Sequence, residues 1–345
     1  MGIYYDGTKI LNKKDINGDK PEIYMITSNR TAGKTTFFNR LAINRFKKNG
    51  GKFALLYRYN YELDDVAIKF FKDINGLFFP DDIMSEKKIA KGKINTLFLN
   101  KKHCGYAISL NDADAIKKYS HYLTDVNMII FDEFQSETNN YCDHEIEKFI
   151  SIHTSIARGK NKMVRYVPVY MISNPVSLLN PYFAKFEIAS RLKTETKFLR
   201  GEGWVLEQNL NENAQKANLT SAFNRAFSSD KYIAYSTQGI YLRNDNTFIE
   251  KMHGKNDYIC TFKVNGSNFA LREYLENGII YVSDVIDRSH PVKISVTTED
   301  HEINYFLKAR YITLITKLRY IFECGSFRFK NLKCKNALLK FISYD

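Results

Sequence analysis

The feature that most constrains this chain is the loop Ser28–Thr35, which lies between an apolar run and a helix-like segment. Its sequence, SNRTAGKT, matches the phosphate-binding pattern Gly-x-x-x-x-Gly-Lys-Ser/Thr, except that Ser28 replaces the first glycine. Ile23–Ile26 before it is typical of a buried strand, and Thr36–Ala42 after it begins like a helix. Backbone N–H groups at such a helix N-terminus form a cradle for phosphate oxygens, so the loop predicts nucleotide binding.

Three residues of the loop have defined expected roles. Gly33 lets the backbone approach the phosphates, Lys34 reaches the β- and γ-phosphates, and the Thr35 hydroxyl ligates Mg²⁺. ATP and Mg²⁺ are therefore the predicted ligands. The predicted nucleotide-binding set is Ser28, Asn29, Arg30, Thr31, Ala32, Gly33, Lys34, Thr35 and Thr36.

Charge and composition limit the partners and the compartment. The chain has 51 Lys and Arg against 38 Asp and Glu, a net charge of +13, which predicts a polyanionic partner such as nucleic acid. The sequence has no apolar stretch long enough to span a membrane and no signal-peptide core at its N-terminus. Its five cysteines show no Cys-x-x-Cys spacing, so we expect reduced thiols in a cytosolic protein, without a disulfide framework or zinc site.

Short apolar runs alternate with helix-like segments over the first two hundred residues. This alternation is typical of parallel strands covered by helices on both faces, and it predicts an α/β domain with a mostly parallel sheet over residues 1–200. Ile94–Leu99 and Tyr106–Leu110 are expected to form a hairpin. The other strands and the helix expected here are Lys52–Arg58, Val126–Phe131, Val167–Ile172 and a helix near Val66–Ile74.

The pattern changes near residue 200. Two glycines and a polar, Asn-rich run predict a linker or lid over residues 201–228. Beyond it, Asn265-Gly266 and Asn277-Gly278 separate β-rich runs and predict a meander of at least three antiparallel strands. A long amphipathic helix over Glu302–Glu323, ended by Gly325, is expected to follow. We therefore predict a smaller α+β domain over residues 229–345.

A second motif supplies candidate catalytic carboxylates. Asp132 and Glu133 directly follow the apolar run Asn127–Phe131. A carboxylate at the end of a strand of a parallel sheet can hold Mg²⁺, so Asp132 is a predicted metal residue together with Thr35. Glu133 can orient and deprotonate a water for in-line attack on the γ-phosphorus, so the pair favours hydrolysis.

Two further residues complete the predicted catalytic set. Asn174 ends the apolar run that begins at Val169, a position that suits a sensor of the γ-phosphate; a simple turn before Pro175 is the alternative. Arg158 lies between the two strands, and an arginine of this kind can neutralise charge on a transferring phosphoryl group from a neighbouring subunit.

Arranged in this order, the motifs resemble the DNA encapsidation ATPases of small tailed podoviruses, which are related to large terminases. The resemblance covers most of the chain. It rests on Ile43–Phe46, Phe131–Phe134, Ser173–Ser177, Asn180–Phe183, Phe248–Lys251, Asn265-Gly266 and Thr297–Asp300.

The resemblance implies a P-loop ATPase domain of the additional-strand class, followed by a domain similar to an RNase H-type nuclease without its catalytic acids. It implies a ring of subunits, expected to be pentameric, that acts in the host cytoplasm. This ring would dock at the portal of a procapsid, with a packaging RNA as a further potential partner, and drive double-stranded DNA inside. It implies that Arg158 acts in trans, with Lys117 or Lys118 near a second trans-acting position. Asp284 and Asp287 do not make an acidic triad, so nuclease activity is not expected.

Two other functions are compatible with the motifs. A helicase or other DNA-remodelling P-loop ATPase would share the site but separate strands or load partners. A nucleotide-gated scaffold would bind DNA without productive hydrolysis, and the Asp132-Glu133 pair argues against it.

Overall fold

The computed structural model describes residues 5–30, 32–138, 140–159, 163–192, 196–209, 226 and 248–344 of the 345-residue chain. These residues separate into two compact units. The first contains the described residues of 1–176 and 196–241, and the second those of 177–195 and 242–344. Residues 177–195, which we expected in the first domain, therefore group with the second unit. No helix in these ranges is long and apolar enough to cross a membrane.

The first unit is a sheet flanked by helices. Its strands are β1 (Ile23–Ser28), β2 (Lys52–Tyr57), β3 (Met84–Ile89), β4 (Ile94–Leu99), β5 (Lys102–Ser109), β6 (Val126–Asp132), β7 (Val169–Ser173), β8 (Phe198–Gly201) and β9 (Trp204–Asn209). Its helices are α1 (Thr8–Leu11), α2 (Lys34–Asn49), α3 (Val66–Phe78), α4 (Ala113–Lys118) and α5 (Glu145–Ala157).

The order of the strands is β3-β4-β5-β2-β6-β7-β1-β9-β8. Strands β5, β2, β6, β7, β1 and β9 are parallel, and β3, β4 and β8 pair antiparallel at the two edges. The α/β class with a mostly parallel sheet is confirmed, as is the β4–β5 hairpin. Strand β7 lies between β1 and β6, which places an additional strand between the loop Ser28–Thr35 and the carboxylates of Asp132 and Glu133.

Aromatic side chains fix helices α2 and α3 on the sheet. Phe38 of α2 stacks on Tyr170 of β7 with ring centroids 5.0 Å apart, and Phe70 of α3 stacks on Phe53 of β2 at 5.2 Å. All four rings are at least nine-tenths buried. Large buried aromatic surfaces contribute strongly to packing, so these contacts hold the N-terminus of α2 at a fixed position on the sheet.

The predicted linker over residues 201–228 is wrong in its first part. Residues 204–209 form β9, which pairs with β1 and carries the buried Trp204, Val205 and Leu206. Polar residues of this strand find internal partners, as Glu207 does with the Tyr5 hydroxyl at 2.6 Å, so polarity did not indicate a loop. Residues 210–225 and 227–228 lie outside the described residues.

The second unit contains a six-stranded sheet in the order β14-β13-β10-β11-β12-β15. The predicted meander is confirmed, because β10–β11 and β11–β12 pair antiparallel and the first turn has Asn265 and Gly266 at positive φ. The strands are β10 (Asp257–Val264), β11 (Ser267–Tyr274), β12 (Ile279–Ser283), β13 (Lys293–Ser295), β14 (Phe306–Leu307) and β15 (Phe327–Phe329). The helices are α6 (Pro181–Lys185), α7 (Ile188–Arg191), α8 (Ile312–Glu323) and α9 (Leu332–Ile342).

The predicted helix over Glu302–Glu323 is too long, because α8 begins only at Ile312. Phe306 and Leu307 instead form the edge strand β14, which pairs with β13, and a 3₁₀ turn follows it. Leu307 was therefore counted as part of a helical apolar face although it belongs to a strand. The helix ends as expected, with Gly325 at φ 76°.

Candidate active site

Three strand ends bring polar residues to one edge of the first sheet. The carboxyl ends of β1, β7 and β6 are neighbours in that order, and the residues at or after them line a cleft of about 680 Å³. Ligands of open parallel sheets bind at this kind of edge. The polar cleft residues that matter for chemistry are Lys34, Thr35, Asp132, Glu133, Ser173 and Asn174.

Lys34 is the most buried cation of the cleft, with 6% of its surface exposed. It is the first residue of α2 and follows Gly33, whose φ of 89° is costly for a residue with a Cβ. Its ammonium donates to Ser28 O at 2.8 Å, Asn29 O at 3.1 Å and Asn174 Oδ1 at 3.2 Å. Burial lowers the pKa of Lys34 to about 8, opposed by the charge of Asp132 and assisted by that of Arg30.

Thr35 and Asp132 meet across the cleft. The Thr35 hydroxyl donates to Asp132 Oδ2 at 2.9 Å, although the two residues are 97 positions apart in the chain. Burial raises the pKa of Asp132, while the Thr35 hydrogen bond and the Lys34 charge oppose the rise. The structure therefore brings the two predicted metal residues together.

Glu133 occupies a constrained position at the end of β6. Its φ is 56°, a left-handed conformation uncommon for a residue with a side chain, and its N–H donates to Asp132 Oδ1 at 3.0 Å. The side chain lines the cleft and reaches solvent. Partial desolvation, and then the charges of Asp132 and Glu137, raise the pKa of Glu133. A carboxylate with a raised pKa accepts a proton more readily, which suits a general base.

The conformation of Glu133 is held by a residue that the sequence did not point to. Arg58, next to the end of β2, donates to Glu133 O at 3.1 Å and to Phe134 O at 2.9 Å. The same guanidinium makes two hydrogen bonds to Glu145 at the start of α5, at 2.9 and 3.0 Å. Both side chains of this ion pair are almost fully buried. Arg58 therefore fixes the backbone of Glu133 through its carbonyl oxygen. No local sequence pattern connects residues 58, 133 and 145.

A second carboxylate connects the phosphate loop to the end of β7. Glu137 Oε1 accepts hydrogen bonds from Arg30 Nη2 and, at 3.3 Å, from Asn174 Nδ2. Asn174 therefore bridges Lys34 and Glu137 through the two ends of its amide. Glu137 was not predicted, because it lies in a segment without a recognisable motif.

One buried polar atom of the cleft has no partner among the described residues. Ser173 is 2% exposed, it lines the cleft, and its Oγ makes no hydrogen bond there. A buried hydroxyl without a partner is unfavourable, so Ser173 is suited to bind a group that enters the cleft. The sequence pattern indicates Asn174 as the site residue at the end of this strand and gives no sign of a role for Ser173.

Of the other predicted loop residues, some line the cleft and others are buried. Thr36 lines the cleft, as do Arg30 and Gly33. Ser28, Asn29 and Ala32 are buried, and the Ser28 hydroxyl donates to Asn29 Oδ1 at 3.1 Å. Thr31 lies outside the described residues.

Arg158 does not join this cleft. It directly follows the last turn of α5, whose carbonyl oxygens accept hydrogen bonds from Arg165. Arg165 also donates to Val126 O, which lies at the end of β6 opposite to Asp132. Six residue steps along β6 correspond to about 20 Å, so Arg158 is remote from the Asp132 of its own chain. Its side chain is exposed, as are those of Lys117 and Lys118 on α4.

Asp284 and Asp287 of the second unit have other partners. Asp284 pairs with Lys330 at 2.5 Å, and Asp287 accepts from Ser289. In the described residues of either unit, no three His, Cys, Asp or Glu side chains cluster as metal ligands.

The strand order and the converging cleft define the class of P-loop ATPase folds with an additional strand. Comparison with known proteins narrows this class. Residues 1–343 match the family described as Podovirus DNA encapsidation protein (Gp16), and the chain belongs to this family, whose function is viral DNA packaging.

Individual relatives agree along nearly the whole chain. A DNA packaging protein of Bacillus phage PZA is 25% identical over 338 residues, which are 97% of this chain and 95% of the relative. The bacteriophage Phi-29 viral genome packaging motor assembly contains a chain with a TM-score of 0.57 and 22% identity, covering 99% of this chain and 100% of that one. A chain of the Phi-28 gp11 DNA packaging motor gives a TM-score of 0.64 and 16% identity, covering 98% and 96%. These two structures show that the fold is shared.

The buried pair of Arg58 and Glu145 generates a stability prediction. We expect Arg58→Met to destabilise the first unit by roughly 3–5 kcal/mol, because Glu145 would remain buried without its cation. Urea unfolding, followed by hydrogen exchange of the β6 amides, measures the loss. The double variant Arg58→Met/Glu145→Gln should recover a large part of it. A single variant as stable as the wild type would contradict the proposed restraint on Glu133.

Proposed function

We propose that this chain hydrolyses ATP with Mg²⁺ and uses the energy to move double-stranded DNA into a procapsid. The observation that carries the proposal is the convergence of a desolvated lysine, a hydroxyl–carboxylate pair and a restrained glutamate in one cleft. These groups come from the start of α2, which follows β1, and from the end of β6, in a chain whose family packages DNA. Nucleotide binding, catalysis by these residues and the ring described below are parts of the proposal.

Lys34 provides the binding energy for the triphosphate. Its ammonium is now satisfied by carbonyl oxygens of its own loop and by Asn174. Phosphate oxygens are stronger acceptors for a buried cation, so they would replace these partners at Lys34. The amides at the N-terminus of α2 add partial positive charge at the same place.

Mg²⁺ fits the residues at the start of α2. The Thr35 hydroxyl and the Asp132 carboxylate are hard oxygen donors 2.9 Å apart, which suits a metal that shares its ligands with phosphates and water. When bound, the ion would neutralise charge on the phosphate oxygens. Asp132 would hold it directly or through water.

Glu133 acts as the general base. Its position beside Asp132 places a carboxylate with a raised pKa at the mouth of the cleft, where it can accept a proton from an attacking water. Asn174 is suited to sense the γ-phosphate, because its amide touches both Lys34 and Glu137 and can exchange these partners during the reaction.

The motor requires neighbouring subunits. Because Arg158 lies at the far end of its own sheet, we propose that it completes the site of an adjacent subunit in a ring, which the family resemblance implies to be a pentamer. The portal vertex, and a packaging RNA, are the proposed docking partners. The net charge of +13 favours sequence-independent contacts with DNA phosphates.

One experiment tests the function as a whole. Purified protein is mixed with empty procapsids, duplex DNA and ATP, and nuclease-protected DNA and released phosphate are measured together. Protected DNA that requires ATP supports the proposal. Strand separation without protected DNA would instead favour a helicase. Absence of phosphate release would favour a nucleotide-gated scaffold.

The first prediction concerns the base. Glu133→Gln should bind ATP as the wild type does but lower the rate of phosphate release by about a hundredfold or more, because the amide cannot accept the proton. Single-turnover hydrolysis and equilibrium ATP binding measure the two effects. The exposed Glu202→Gln is the matched control. Wild-type turnover of Glu133→Gln would remove this residue from the mechanism.

The second prediction concerns the pH dependence of binding. The triphosphate binds the protonated form of Lys34, whose pKa in the free protein is about 8. Its contribution is therefore complete only well below pH 8 and decreases as the pH rises through 8, so the Kd for ATP should be about tenfold higher at pH 9 than at pH 6.5. Calorimetric titration from pH 6.5 to 9 measures this. In Lys34→Arg the rise should vanish, and a wild-type Kd that stays constant to pH 9 would contradict the lowered pKa.

The third prediction concerns Arg158. In rings mixed from wild-type and Arg158→Ala subunits, DNA-stimulated hydrolysis should fall more steeply than the fraction of mutant subunits, because each subunit completes its neighbour's site. Titration of the mutant fraction measures the curve, with Arg158→Lys, Lys117→Ala and Lys118→Ala as comparison variants. A linear decrease for Arg158→Ala would argue against action in trans.

A further inference from the structure

The cleft continues beyond the phosphate loop into an apolar wall. Phe37 and Arg40 of α2 line it on one side, and Leu77 and Phe78 at the end of α3 line it on the other. Leu77 is 70% exposed and Phe78 is 37% exposed, although both continue the three- and four-residue spacing of the buried face of α3. These four residues, the aromatic wall, have no role in the chemistry at Lys34 and Glu133.

The aromatic wall extends in line with the phosphate site. Lys34, Phe37 and Arg40 follow each other at three-residue intervals along α2, so that neighbouring members of the series are adjacent on the helix surface, and all three line the cleft. Six residues of an α-helix rise by about 9 Å, so Arg40 lies roughly that far along the helix from the lysine. A nucleoside triphosphate held at Lys34 by its phosphates would place its base against this wall.

The wall is preformed as a stacking surface. The Arg40 guanidinium lies over the Phe78 ring, 4.2 Å from its centroid, so two flat groups from two helices already face each other. Phe37 is held edge-on by Tyr5, with ring centroids 5.8 Å apart and an angle of 87°. Behind Phe37 the chain passes so closely that a Cβ at Gly7 would lie 2.4 Å from the ring. Phe37 therefore has little freedom to turn away.

We propose that the aromatic wall is a nucleobase platform that binds the base of the triphosphate by stacking. This inference rests on the proposed function. Among the described side chains of the wall, none is an Asn or Gln, whose amides read an adenine edge, and Arg40, the residue type that reads guanine, already lies over the Phe78 ring. Stacking tolerates any base but increases with ring area, so the site prefers purines over pyrimidines and discriminates weakly between adenine and guanine.

Variants of Phe78 test the platform. Phe78→Ala should raise the KM for ATP about tenfold while kcat changes less than about twofold, because stacking contributes to binding and not to the chemical step. Phe78→Trp keeps a flat ring and should restore the wild-type KM. Ile68→Ala, an exposed position of α3 outside the cleft, is the control. A wild-type KM in Phe78→Ala, or a tenfold rise also in Phe78→Trp, would overturn the platform.

A panel of triphosphates tests the preference. We expect kcat/KM for GTP within about tenfold of ATP, with CTP and UTP lower, and a smaller purine preference in Phe78→Ala. More than about a hundredfold selection of ATP over GTP would contradict recognition by stacking. Inorganic tripolyphosphate distinguishes failure of the platform from failure of the proposed function. If it competes with ATP while Phe78→Ala has a wild-type KM, the platform alone fails; if neither ATP nor tripolyphosphate binds, the proposed function fails with it.

Discussion

The structure of the cleft depends on the insertion of β7 between β1 and β6. This order keeps the phosphate loop and the Asp132-Glu133 carboxylates one strand apart, and Asn174 at the end of the inserted strand contacts groups on both sides. Parallel strands with covering helices enforce this spacing, because their carboxyl ends all meet the same edge.

Local patterns in the sequence were sufficient for the parts of the structure that depend on local geometry. The phosphate loop, the two apolar strands that carry the carboxylates and Asn174, and the Asn-Gly turn at residues 265–266 each have a physical requirement within a few residues. The meeting of Thr35 with Asp132 followed from the rule that strand ends of a parallel sheet converge. The α/β class and the candidate catalytic residues were therefore accessible from the sequence.

The parts that sequence reasoning missed depend on contacts between distant segments. Arg58 restrains Glu133 through a buried partner on α5, and an arginine after a strand carries no sign of such a partner. Glu207 looked like linker because it is polar, yet its pairing with Tyr5 allows it to be buried in β9. Leu307 fitted a helical period by chance, and pairing with β13 made it part of a strand together with Phe306. In each case tertiary contacts outweighed local preference.

The internal hydrogen bonds of Lys34 have a consequence for the end of the proposed hydrolysis cycle. Because the ammonium already has three acceptors within the protein, departure of a product would not strand a bare buried charge. After release, the Lys34 ammonium would return to its internal acceptors and would not need to be hydrated by bulk water. In the proposed ATPase, this exchange of partners would ease product release and would lower the affinity for the nucleotide.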